Sequence, residues 1–172
     1  IRHPEYDLRS MAMDQVVRRG KVNMVVPLLI SEDPRLRQAG LLALTGMFKG
    51  RALAADQVTP EMLELAGRMI DNPDESWWVA LHAIEALGRG SPELIAKHRD
   101  RLLEFLDYRC TWLQTAAVCT LAKIATVPAH YKTVLPAILD KSASFRVDSA
   151  SSRSSKAIAD VVKTANAEVK AF

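Results

Sequence analysis

Trp78, His82 and Glu85 stand at i, i+4 and i+7, a spacing that places three side chains on one face of a helix. A histidine beside a carboxylate is the smallest unit of acid/base catalysis or of a metal site, and a tryptophan next to it offers a large surface to a ligand. Either chemistry needs a third ligand or an orienting partner, and the spacing supplies none. His82 and Glu85 are therefore expected on a solvated face, with Trp78 beside them. Trp77 falls nearer the apolar side that holds Ala80, Ala83, Ile84 and Leu87.

Other reactive residue types fare similarly. The acidic turn Asp71, Asp74 and Glu75 lacks the spaced oxygen ligands and the turn glycine of a calcium loop, so it reads as turn and cap chemistry. Ser91 precedes a proline as a helix cap does, and neither a Gly-x-Ser-x-Gly elbow nor a glycine-rich phosphate loop occurs. Cys110 lies near a helix start, which favours a thiolate, but no histidine is identifiable as its partner. Cys110 and Cys119, read as one helix, would be about 180° apart and roughly 13 Å along its axis, too far to bridge. A disulfide-stapled secreted domain is excluded on that reading, and a reducing compartment is permitted. No catalytic residue, metal or cofactor is expected.

The elements that must position these residues are helices throughout. Apolar residues recur at helical spacing, and no window alternates as a half-buried strand does. Asp33-Pro34, Thr59-Pro60 and Ser91-Pro92 pair a capping side chain with a first-turn proline. With glycine stops, this punctuation predicts helices over about 5–20, 22–30, 34–49, 60–70, 75–87, 92–106, 109–126, 128–139 and 145–167. No stretch approaches the roughly 20 apolar residues of a membrane span. The chain lacks an initiator methionine, and Ile1 is expected to mark a cut from a longer polypeptide.

A five-fold echo runs through these helices. Leu8-Arg9, Leu36-Arg37, Val79-Ala80, Leu113-Gln114 and Val147-Asp148 open successive copies at separations of 28, 43, 34 and 34 residues. Small residues follow four positions on, at Ala12, Gly40, Ala83, Ala117 and Ser151. Spacings of this size signal stacked helical hairpins. The serines of the last copy, Ser149, Ser151, Ser152, Ser154 and Ser155, suit an array that ends there or docks further chain.

The run Asp33-Pro34-Arg35-Leu36-Arg37-Gln38-Ala39-Gly40-Leu41-Leu42-Ala43-Leu44 resembles the second helix of a HEAT repeat, and the later copies are looser versions of it. Val79 to Gly88 keeps the Ala-Leu-Gly ending and lacks the arginine; Leu113 to Leu121 has Gln114 in its place. The resemblance implies an all-α fold, an α-α superhelix or right-handed solenoid of HEAT-like hairpins over 1–172, whose second helices line a concave surface. It implies architecture and leaves the partner open.

Aligned copies put Asp7, Arg35, Trp78, Trp112 and Arg146 in one row, just before each opener. Trp and Arg dominate binding hot spots, so Arg35, Trp78, Trp112 and Arg146, with His82 and Glu85 beside them, form the candidate partner surface. The alternative is that both tryptophans pack between repeats.

Charge narrows the partner. Lys/Arg against Asp/Glu number 9 to 5 over 1–51, 5 to 11 over 52–108 and 9 to 4 over 109–172. A protein that tracks phosphates wants a continuous positive surface, and the acidic middle opposes that. Arg146, Arg153, Lys156, Lys163 and Lys170 make a basic stripe or a solvated face. The expected function is a non-catalytic protein or peptide interaction module. Two rivals remain: a nucleic-acid-binding protein like the HEAT-like DNA glycosylases, whose catalytic motif finds no match here, and a structural support for a catalytic domain in a longer chain.

Overall fold

A computed structural model describes residues 4–46, 51–125, 127–142 and 159–160. Among the described residues the fold is all-α: α1 (Pro4–Arg18), α2 (Val25–Leu29), α3 (Pro34–Thr45), α4 (Pro60–Asp71), α5 (Trp77–Leu87), α6 (Pro92–Lys97), α7 (Arg99–Phe105), α8 (Thr111–Leu121) and α9 (Pro128–Ser142), with 3-10 turns at Val22–Met24 and Ala55–Gln57. Two compact units divide the chain, Ile1–Arg89 and Gly90–Phe172.

In the first unit the caps form as the sequence dictates. Asp33 Oδ1 accepts from Arg35 N at 2.8 Å, and Thr59 Oγ1 accepts from Met62 N at 3.3 Å. Each satisfies a backbone donor that the first helical turn leaves open. α2 packs on α3, α4 packs on α5, and α3 also meets α1 and α5. The core they share includes Leu29, Leu41, Leu44, Ile70, Ile84 and Leu87. Gly40 sets the α2–α3 spacing: a Cβ there would lie 2.9 Å from Leu29 Cδ2 and 3.2 Å from Leu28 Cβ.

The small positions of the echo do not all behave alike. Gly40 and Ala83 are buried, whereas Ala12 is exposed. Gly40 lies under α2, whereas none of the described helices covers Ala12.

α3 stops earlier than its periodicity suggests, at Thr45 instead of about Lys49. Gly46 takes φ +66°, and a Cβ on it would lie 2.6 Å from Ala52 N, so a side chain is excluded on both counts. The end is then tied down from two directions. Leu53 N donates to Ala43 O at 2.8 Å, and the Arg89 guanidinium donates to the carbonyls of Leu44 and of Leu53, the latter at 2.9 Å. A cation at a helix C-terminus also meets the negative end of the helix dipole.

In the second unit Ser91 Oγ accepts from Leu94 N at 3.3 Å and opens α6. The single helix expected to Leu106 is instead two. His98 N bonds Ile95 O at 3.1 Å, a three-residue bond that tightens the turn, and the buried His98 separates α6 from α7. α8 likewise ends at Leu121 and not near Thr126, because Lys123 and Ile124 bond three residues back to Thr120 and Leu121 as the chain approaches Pro128. α7 and α9 each pack on α8, burying Leu102, Phe105, Leu113, Leu121, Val134 and Ile138. Cys110 is the N-cap of α8 and stands outside that helix; both thiols are reduced and half-buried. The serine-rich last copy, Arg146 and the basic stripe lie outside the described residues.

Candidate functional site

Three helices of the first unit, α1, α3 and α5, meet in a polar cluster. α1 contributes Tyr6, Arg9 and Ser10, α3 contributes Gln38, and α5 contributes His82 and Glu85. The Tyr6 and His82 rings stack with centroids 6.1 Å apart and planes 19° apart. His82 Nδ1 lies 3.2 Å from Glu85 Oε2, and against an ionised carboxylate this nitrogen is the donor. Arg9 donates to Gln38 Oε1 at 3.0 Å and holds Glu5 at 3.9 Å. Burial, followed by the negative charges of Glu85 and Asp7, pushes the Tyr6 phenol up to about 12, with Arg9 opposing.

This geometry corrects the exposure expected of His82 and Glu85. His82 is only 3% exposed and Glu85 half-buried. The reason is that α5 packs on α3 and on α4, while Tyr6 covers the remaining side at His82. The signal was present in the sequence: Trp77–Leu87 has His82 and Glu85 as its polar residues in an otherwise apolar helix, and a helix apolar all round is an interior one.

The two adjacent tryptophans also exchange places. Trp77 is 53% exposed and Trp78 is half-buried. Trp77 is the first residue of α5, and helical side chains lean toward the N-terminus, so its indole is carried past the packed part of the helix.

The cluster has the character of a fastening between helices. One face of the His82 ring is covered by Tyr6 and its Nδ1 is engaged by Glu85. Among the described residues no three His, Cys, Asp or Glu side chains are placed to share a metal ion.

A second row stands one place after three of the five openers, Leu8, Leu36 and Leu113. Arg37 grips Glu75 through two bonds of 2.8 Å and donates to the carbonyls of Ser31 and Glu32 at 2.8 and 2.7 Å. Glu75 is a nearly buried carboxylate that also accepts from Ser76 N at 2.8 Å. It is thus a clamp between the turns that precede α3 and α5, more than a member of an acidic turn. Arg9 plays the corresponding part toward Gln38, and Gln114 donates to Leu106 O at 3.1 Å. The repeated aliphatic-Arg pair was the signal that could have found this row.

The remaining candidates fall as follows. Arg35 is exposed on the first turn of α3. Trp112, at the start of α8 in the second unit, is 48% exposed. Tyr108, four residues earlier, is exposed as well; its ring centroid lies 4.9 Å from that of Phe105, and the Arg101 guanidinium sits 4.8 Å over the Phe105 ring while pairing with Glu104. That unit therefore presents two exposed aromatic side chains on a segment braced by a cation–π contact.

No family model and no curated protein matches the chain. Among solved structures, the crystal structure of an engineered protein from the Northeast Structural Genomics Consortium is similar over 90% of this chain and 68% of its own, with a TM-score of 0.58 and 22% identity. At that identity the likeness concerns the fold alone.

Proposed function

We propose that this chain is a non-catalytic interaction module that binds a protein or peptide partner, with Trp112 at the centre of the contact. The exposure of Trp112 carries the reading. Large aromatic side chains are usually mostly buried, and an indole left half open beside an exposed tyrosine has the composition of a binding hot spot. Arg35 and the exposed Trp77 offer the same chemistry on the first unit.

The architecture that goes with this reading is a HEAT-like array, a right-handed α-α superhelix of hairpins. It is supported by the common register of Gly40, Ala83 and Ala117, all buried, and by the three side chains Arg9, Arg37 and Gln114 that fasten one element to another.

Selection from a displayed random-peptide library tests the function. The module should enrich a consensus that carries apolar or acidic anchors for Trp112 and its surroundings. Duplex DNA offered in parallel should bind weakly, losing what affinity it has as salt rises. Recovery of no consensus, or tight and strongly salt-dependent DNA binding, would replace this reading with one of its rivals.

A further inference from the structure

α1 is amphipathic in two directions. Its inward face carries Tyr6, Ser10 and Met13; the opposite face carries Leu8 and Met11, 65% and 66% exposed, and the exposed Ala12. By the internal register, Ala12 is the counterpart of Gly40, the residue on which α2 lies. An aliphatic face with a small residue at its centre is shaped to take another helix, and α1 has none there among the described residues.

The charges on α1 identify the helix that fits. Glu5 and Asp7 lie at its N-terminal end, Arg18 closes its C-terminal end with Arg19 next in the turn, and the apolar residues lie between. We infer that the outer face of α1 binds the same face of a second copy of this chain, the two helices antiparallel about a two-fold axis near Ala12. With Ala12 at the crossing point, Glu5 of each copy stands opposite Arg19 of the other and Leu8 opposite Val16. Met11 flanks the close approach that Ala12 permits. The pattern is self-complementary, as a two-fold contact requires. A parallel arrangement would set like charges together at both ends.

The contact is confined to one helix per copy, which places it at the small end of specific interfaces, with a dissociation constant of about 10 to 100 µM. Sedimentation equilibrium of the chain from about 5 to about 500 µM reads it directly. The mass should climb from the 19.0 kDa of one chain toward twice that value. Met11→Glu should hold it at one chain throughout. Glu5→Lys and Arg19→Glu should each weaken association about five-fold or more, and the two together should restore it, because the double reversal regenerates opposite charges across the axis. All these positions are exposed, and unchanged far-ultraviolet circular dichroism shows that each variant is folded. A mass of one chain at every concentration overturns the inference. So does association that survives Met11→Glu, or a double reversal no better than either single one.

Discussion

His82 and Glu85 show how much a spacing can say about chemistry. Their pairing is legible at i and i+3, and the 3.2 Å approach agrees with it. Their burial was legible only in part, from a helix apolar all round but for these two residues, and it is completed by Tyr6, a residue from a different helix that no local pattern connects to them. Tyr6 in turn makes a testable statement about pH. Its folded value is raised from 10.0 to about 12, so the fold prefers the neutral phenol. That contribution is complete below pH 10 and is lost as pH rises from about 10 through about 12, where the unfolded chain ionises first. Absorbance titration at alkaline pH should show a component with a midpoint near 12 that disappears in Tyr6→Phe, and the variant should lose less stability than the parent over that window. A parent curve without a late component would place Tyr6 in water. Trp77 and Trp78 teach the complementary lesson: a helical wheel assigns faces but does not know where a helix begins, and the first residue of α5 escapes the packing its angle predicts.

At the scale of elements, caps and first-turn prolines located the starts of α3, α4 and α6, since Asp33, Thr59 and Ser91 each act through their own backbone neighbourhood. The ends were harder. Gly46, the 98 break and the early close of α8 are set by three-residue hydrogen bonds and by contacts with chain far away in sequence. Two fastenings can be measured. Gly40→Val puts branched carbon against Leu28 and Leu29 and should cost about 2 kcal/mol in urea unfolding at an unchanged m-value. A neutral result would mean that α2 can move away from α3 freely. Arg37→Met leaves the nearly buried Glu75 carboxylate with a single backbone donor and should cost about 3 kcal/mol, while Arg37→Met with Glu75→Gln should recover part of it. If the double variant were as unstable as the sum of the singles, the clamp would carry no coupling.

For the whole molecule, composition and periodicity were enough to fix an all-α class, and the echo in positions 40, 83 and 117 anticipated which residues would be buried under neighbouring helices. Function was less accessible for a physical reason. A binding surface is made of side chains left uncovered, and what leaves Trp112 and Tyr108 uncovered is tertiary structure that neither residue encodes locally. The central claim is that an exposed tryptophan at the start of α8 holds a partner. The most direct measurement is the affinity of library-selected peptides for the parent chain and for Trp112→Ala, taken with the melting temperature of both. The account predicts a loss of about tenfold or more, or about 1.4 kcal/mol, at an unchanged melting temperature. Equal affinity for both proteins would contradict it.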